Sequence, residues 1–423
     1  MSEFDKIIGY KAIKDELIQL NDMIHNRDIY NRLGARLPKG LLLYGEPGLG
    51  KTLMAKALIK ESGLKTFTLR RVIGKESFVD EITATFEKAK ASAPSIVFLD
   101  DLDKFANEDM DHRDAEEYVS VQAGIDEVKG CDVFVIATAN EIWKLPQSLT
   151  RIGRFDRKYE IDIPSREDAA EIIKYYIADK KLSDDVNMED LTNMISYSSC
   201  AGLETILNEA AARAAYRRRE STGMEDIIEA VLKVEYESPD NKSDMDSEKK
   251  EKIALHEAGH AVVSEAIVPG SVGLVCLRAQ GKAVTKGFTR RCKNIPDDYS
   301  HAQVILAGKA AHELYYLDDV DRGSFSDIRL AANILYTNVT KIGCDGIGLI
   351  NMMNEHKGDE PSESFKAKAE SATQGYMERC LRETKNILLK NKKFLEAVRD
   401  ELMEKEILLY SDVQRLKKKF AEF

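Results

Sequence analysis

The sequence has no long apolar run, no CxxC pair and a single tryptophan. Its longest stretch without Asp, Glu, Lys or Arg runs only from Leu191 to Leu203, well short of the roughly 20 apolar residues that cross a bilayer. It therefore encodes no transmembrane helix. The amino terminus, MSEFDKIIGY, lacks both the basic region and apolar run of a secretory signal and the Arg/Ser-rich character of a transit peptide. Six cysteines (Cys131, Cys200, Cys276, Cys292, Cys344, Cys380) are scattered along the chain, which argues against a zinc ribbon or a disulfide scaffold and for reduced thiols. A cytoplasmic protein is expected. An excess of basic charge is missing too: 62 Lys and Arg stand against 73 Asp and Glu, a net charge of -11. Nucleic-acid affinity comes mainly from neutralising phosphates, so no nucleic-acid partner is expected. The best basic cluster, Arg217-Arg218-Arg219, closes a predicted helix, where it complements the helix dipole in solvent.

What is present is a chain of 423 residues, enough for two or three domains. From about residue 38 to 165, short apolar strands alternate with amphipathic helices. The strand-like runs are Gly40 to Tyr44, Thr66 to Leu69, Ser95 to Leu99, Val133 to Ala137 and Lys158 to Ile163. Such alternation implies a mostly parallel sheet covered by helices. From Arg166 to about residue 235 the strands stop and a helical period takes over, as in Leu203, Leu207, Ala210 and Ala211. Tyr236 to Ser247, YESPDNKSDMDS, is polar and reads as a linker. Beyond it, helices are expected over Glu248 to Ile267, Tyr299 to Tyr316, Ser326 to Lys341 and from Ser362 to the end. Val272 to Arg278 and Ala283 to Phe288 flank Gln280-Gly281 as a candidate hairpin.

The first motif with chemistry is Gly45-Glu46-Pro47-Gly48-Leu49-Gly50-Lys51-Thr52, a complete GxxxxGK[ST] between a strand and a helix. Its glycines let backbone N–H groups wrap phosphates, Lys51 can reach the β and γ phosphates, and the Thr52 hydroxyl can ligate Mg²⁺. Downstream, Ile96-Val97-Phe98-Leu99-Asp100-Asp101 is an apolar strand ending in two carboxylates. Asp100 is expected to hold the metal through its water shell and Asp101 to polarise the attacking water.

With these motifs the chain resembles the AAA ATPases. Phe4-Asp5-Lys6-Ile7-Ile8-Gly9 matches the family's first segment, Val135-Ile136-Ala137-Thr138-Ala139-Asn140 its polar sensor strand, and Arg151-Ile152-Gly153-Arg154-Phe155-Asp156-Arg157 its arginine-finger segment. The resemblance implies that Ile8 and Gly9, residues Pro47, Gly48, Leu49, Gly50, Lys51, Thr52 and Leu53, and Asp100 bind ATP with Mg²⁺. It also implies that Asn140 senses the nucleotide, and that Arg154 and Arg151 reach the γ-phosphate of a neighbouring subunit. Arginines acting in trans require an oligomer, in this family usually a hexameric ring.

The second motif is His256-Glu257-Ala258-Gly259-His260, within the apolar helix Ile253 to Ile267. A separation of four puts both imidazoles on one helical face, where they can bind one Zn²⁺ with Glu257 as general base. A catalytic zinc needs a third protein ligand. By residue type, His301, His312, Glu313 and Asp327 all remain open. HEAGH behind an AAA module, followed by Ala307-Gly308-Lys309-Ala310-Ala311-His312-Glu313 and Gly323-Ser324-Phe325-Ser326-Asp327-Ile328, resembles the FtsH family of ATP-dependent zinc proteases. That resemblance, from Phe4 to about Lys419, implies Asp327 as third ligand and Glu313 as a partner of a ligating imidazole. His312 is then expected to be a partly exposed helix residue. The strand Ala283-Val284-Thr285 is expected to pair with an extended substrate.

The resulting expectation is an α/β P-loop AAA module (1–165) with a helical lid (166–235), a linker (236–247) and a mainly α-helical zinc metallopeptidase domain (248–423). ATP hydrolysis in a ring would feed unfolded or loosely folded polypeptides to the zinc. Three departures from the family stand out. Asp101 occupies a position that is usually Glu. The aromatic pore loop is reduced to Val72-Ile73-Gly74, with Phe78 as a possible substitute. The ATPase begins at once, where the family carries membrane helices, so a member without a membrane anchor is expected. A remodelling ATPase whose peptidase half is mainly structural is the rival reading.

Overall fold

The computed structural model describes residues 2–71, 78–107, 115–236, 246–279, 282–286, 297–316, 323–343 and 362–422. Contacts divide the chain into two compact units: Met1–Ala178 with Ser198–Thr205, and Asp179–Tyr197 with Ile206–Phe423.

The first unit is a parallel sheet of β1 (Gly40–Tyr44), β2 (Lys65–Leu69), β3 (Ser95–Leu99), β4 (Val133–Ala139) and β5 (Arg157–Glu160), in the order β2-β3-β4-β1-β5. Every residue of β3 and β4 is buried, as expected of strands covered on both faces. Helices α1 (Lys11–His25) and α2 (Arg27–Arg32) precede the sheet, and α3 (Lys51–Ser62), α4 (Phe78–Ala91), α5 (Ala115–Glu127), α6 (Gln147–Thr150) and α7 (Arg166–Ile177) follow its strands. Phe86, Val97, Leu99, Phe105, Val121 and Ile125 form its main core. The start of α7 is fixed by Ser165, whose hydroxyl accepts the Asp168 N–H.

Phe78 belongs to this core. It is 7% exposed, with its ring edge-on to Phe105 at 5.3 Å between centroids, so it does not replace a pore-loop aromatic. Val72, Ile73 and Gly74 lie outside the described residues.

The second unit holds α8 (Met188–Ile195), most of α9 (Cys200–Tyr216), α10 (Met224–Tyr236) and α11 (Ser247–Ile267), then β6 (Leu274–Ala279) and β7 (Lys282–Lys286). It continues with α12 (Asp298–Tyr315), α13 (Phe325–Thr337), α14 (Glu363–Lys390), α15 (Lys392–Lys405), β8 (Ile407–Leu409) and α16 (Tyr410–Phe420). Its core is rich in small side chains, including Ala254, Ala258, Ala261, Ala307 and Ala311, which lets α11 and α12 approach closely. The hairpin β6–β7 is antiparallel, and β8 joins β6 from the other side, leaving β7 at the sheet edge. The sequence pattern missed β8: three apolar residues between helices are too short to show a period.

Helices predicted as a lid therefore split between the units. The buried carboxylate of Asp190, on α8, accepts the backbone N–H of Ser411 at 2.7 Å and its hydroxyl at 2.9 Å, tying α8 to the start of α16. At the start of α9, the Ala201 N–H donates to the Gly48 carbonyl at 3.0 Å, which keeps that turn with the phosphate loop. The basic run is not simply solvated: Arg217 and Arg219 both pair with Asp226, which is fully buried. Among the described residues, Cys131, Cys200, Cys276 and Cys380 form no disulfide; Cys292 and Cys344 lie outside the described residues. No described helix is long and apolar enough to cross a membrane.

Candidate nucleotide site and metal centre

After β1 the chain turns at Gly45 with φ +143°, where an added Cβ would lie 2.0 Å from the Ile161 carbonyl oxygen. Only glycine lets the loop begin there. The loop runs into α3 at Lys51, which is 6% exposed and donates from Nζ to the Gly45 and Glu46 carbonyls, each at 2.7 Å. Burial lowers the Lys51 pKa, opposed by the charges of Asp101, Asp103 and Glu46. This glycine-shaped loop, with a buried ammonium folded over its carbonyls, fits a nucleoside triphosphate.

Asp100 directly follows β3 and is almost fully buried. Its Oδ1 accepts the hydroxyls of Thr52 at 3.0 Å and Thr138 at 2.9 Å. Thr138 Oγ1 in turn accepts the Asp101 N–H at 2.9 Å. That bond helps hold Asp101 in a left-handed conformation, φ 56° and ψ 53°, which costs a non-glycine residue about 1–2 kcal/mol. Lys104 pairs with Asp101 Oδ2 at 2.8 Å. The Asn140 N–H donates to Asp103 Oδ1 at 3.0 Å. Because β1, β4 and β3 are parallel neighbours, the loop, Asn140 and the two aspartates share the carboxyl edge of the sheet, where such sheets bind ligands. Ile8 and Gly9 are tied to this edge through Tyr10. Its N–H donates to Asp168 at 2.8 Å, and its hydroxyl donates to the Asp162 carbonyl at 2.8 Å and lies 3.6 Å from Cys200 Sγ.

In the second unit, α11 carries His256 and His260 with their Nε2 atoms 3.1 Å apart. Asp327, in the first turn of α13, brings Oδ2 to 3.3 Å from His256 Nε2 and 3.5 Å from His260 Nε2. Among the described residues these three are the group whose ligand atoms converge, all within 4.8 Å. His260 Nδ1 is 2.8 Å from the Val304 carbonyl. A carbonyl only accepts, so this nitrogen carries the proton and Nε2 turns a lone pair toward Asp327. Asp327 Oδ2 is buried without an aligned hydrogen-bond donor. Burial alone would raise the Asp327 pKa; without a cation, protons on the imidazole Nε2 atoms take the cation's place and hold it well below the usual carboxylate range. Electron-rich atoms converging without enough protons between them fit a divalent cation, and a His₂Asp set suits zinc. Glu257, between the histidines in sequence, is 6% exposed. The crossing of α11 and α12 depends on Gly308, where a Cβ would come within 2.3 Å of the His256 ring.

Residues 41–163 match the AAA family, the ATPases associated with various cellular activities, and residues 243–416 match peptidase family M41. The ATP-dependent zinc metalloprotease FtsH of Caldicellulosiruptor bescii is 31% identical over 447 residues, covering 98% of this chain and 71% of the relative. The chain belongs to the FtsH family. FtsH of Leptotrichia buccalis is 33% identical over 448 residues, covering 98% of this chain and 57% of the relative. FtsH 3 of Petrotoga mobilis is 30% identical over 450 residues, covering 98% and 69%. The chain spans 57% to 64% of the length of several of these FtsH relatives.

Within this FtsH-family chain the expected site residues do not all fall where the motifs suggested. Arg154 is 1% exposed. Its Nε and Nη2 bond the Asp126 carboxylate at 3.1 and 2.5 Å, and Nη1 bonds the Ser148 carbonyl. A buried guanidinium with its donors so engaged is not available to a neighbouring subunit, which corrects the reading of Arg154 as an arginine finger. Arg151 is exposed. Glu313 pairs with Lys309 at 2.5 Å and Lys385 at 2.6 Å, so the Val304 carbonyl, not Glu313, orients a ligating imidazole. His312 is buried rather than partly exposed, its ring tilted by 39° against Tyr316 with centroids 5.1 Å apart. Thr138 and Asp103 were missed as site residues, although Thr138 stands inside the motif that flagged Asn140 and Asp103 two residues beyond the one that flagged Asp101.

Proposed function

We propose that this chain is an ATP-dependent zinc endopeptidase that assembles as a ring, by analogy with its family a hexamer. Residues 1–165 would form the large ATPase subdomain, 166–235 its helical lid, 236–247 a linker and 248–423 the peptidase. Its cofactors would be Zn²⁺, ATP and Mg²⁺, its substrates unfolded or loosely folded polypeptides, and the lack of a disulfide among the described cysteines suits a reducing, cytoplasmic setting. The observation that carries the reading is the convergence of His256, His260 and Asp327 in a chain that also holds a complete phosphate loop.

In the ATPase half, Ile8 and Gly9 would line the base, while Pro47 to Leu53 wrap the phosphates with Lys51 as their counter-charge. Thr52 and Asp100, already joined by a hydrogen bond, would hold the metal's water shell. Asp101 would orient the attacking water, Asn140 would sense the γ-phosphate, and Arg151 would act on the neighbouring subunit's nucleotide. In the peptidase half, His256, His260 and Asp327 would hold zinc, which supplies Lewis acidity toward the scissile carbonyl. Glu257 would take the proton from the attacking water and pass it to the leaving amine. The side of β7 that faces no other described strand could accept an extended substrate as an added strand.

Glu257→Gln should lower ATP-dependent casein cleavage by about 10²–10⁴-fold while leaving ATP turnover and zinc content intact. Lys51→Ala should remove ATP turnover instead. Wild-type protein that holds zinc and hydrolyses ATP but cuts no casein would sink the protease assignment and favour remodelling.

A further inference from the structure

Arg70 belongs to none of the motifs that define the nucleotide site, yet its side chain stands at both of that site's key carboxylates. β2 and β3 pair in parallel with Leu69 opposite Leu99, and the Asp100 N–H extends this ladder to the Leu69 carbonyl at 3.0 Å. The residue after Leu69 therefore leaves the sheet beside Asp100, one interstrand spacing away. The Arg70 guanidinium lies 4.0 Å from Asp100 Oδ2 and 3.5 Å from Asp101 Oδ2. Lys104 takes the same Asp101 oxygen at 2.8 Å. Two cations thus converge on Oδ2 of a short carboxylate whose backbone is already held in a left-handed conformation by Thr138. Two adjacent aspartates at one strand end also repel each other, and a guanidinium between them relieves that repulsion.

We propose that Arg70 is a positioning residue for ATP hydrolysis, holding Asp101 by Oδ2 so that Oδ1 is left to orient the attacking water. The inference rests on the ATPase reading above. A purely structural role fits poorly, because the Arg70 side chain is 62% exposed and ion pairs at such exposure add little to stability.

The test compares the wild-type full chain, Arg70→Ala and Arg70→Ala/Asp101→Glu under saturating Mg²⁺. Arg70→Ala should lower kcat for ATP by about tenfold. KM, the Kd for a fluorescent ADP and Tm should remain at wild-type values. Adding Asp101→Glu should recover most of the lost kcat, since a carboxylate one methylene longer reaches the water without being held. Unchanged kcat in Arg70→Ala, an equal loss of ADP affinity, a lowered Tm, or no recovery in the double variant would each overturn the inference while leaving the ATPase reading in place. A wild-type protein that binds ADP but does not hydrolyse ATP would overturn both.

Discussion

The two sites differ in how far their own side chains satisfy them. At the carboxyl edge of the parallel sheet, Asp100 accepts hydroxyls from Thr52 and Thr138, Thr138 accepts from Asp101, and Lys51 caps two loop carbonyls. That arrangement closes on itself by hydrogen bonds from hydroxyl, amide and ammonium donors to carboxylate, hydroxyl and carbonyl acceptors. At the crossing of α11, α12 and α13, two imidazole nitrogens and a buried carboxylate oxygen face one another, and the oxygen has no aligned donor. Such a group is costly to bury unless something positive binds it. The first site is thus preorganised by the protein alone, and the second is completed by a cation.

The sharpest way to break this contrast is to remove the cation. Chelating the metal should lower Tm of the wild-type protein, because binding to the folded state alone stabilises it by mass action, whereas withdrawing nucleotide should lower it less. Asp327→Ala should weaken zinc binding by more than about 100-fold, abolish casein cleavage and erase the chelator's effect on Tm. A chelator that leaves the wild-type Tm unmoved would mean that the three residues are satisfied without a metal.

A second pair of substitutions sharpens the comparison within the ATPase half, between an arginine that serves the fold and one that faces outward. Arg154→Ala should destabilise the protein by about 2 kcal/mol, because it empties a buried space and frees Asp126 from its forked partner. Arg151→Ala should leave Tm unchanged and lower ATP turnover by about 10³-fold. Equal Tm values for the two variants in thermal melts would erase the distinction drawn from burial.

The smallest effect concerns acid. Hydrogen bonding to Arg154 holds the Asp126 carboxyl down at about 2, against an ordinary 3.8. A carboxyl with a depressed folded-state pKa contributes stability that is present above its unfolded value and lost as pH falls toward the folded one. Urea midpoints of the wild type should therefore fall between about pH 4 and pH 2 more steeply than those of Asp126→Asn. Parallel curves would mean that the Arg154 pair adds nothing that titrates.

Much of this protein was legible in sequence because the signals involved are local. The five strands of the sheet follow from short apolar runs bounded by turn residues, and β3 spans Ser95–Leu99 as its pattern predicts. The phosphate loop is legible because a turn such as that at Gly45 admits only glycine. HEAGH is legible because four residues make about one helical turn, so the two histidines share a face whatever surrounds them.

Other features depended on partners distant in sequence. His301, His312, Glu313 and Asp327 were equivalent candidates by type, and only the packing of α13 against α12, which itself packs on α11, brings Asp327 to the imidazoles while lysines take Glu313. Arg151 and Arg154 stand three residues apart in one motif, but Asp126 on α5 buries one and leaves the other exposed. Phe78 looked free to serve a pore loop until Phe105 placed it in the core. By itself the sequence determined which elements form and where the phosphate loop and the histidine pair lie, because backbone conformation and periodicity are short-range properties. The tertiary structure alone decided which charged and aromatic side chains are buried and which meet, because burial and convergence depend on segments that only folding brings together.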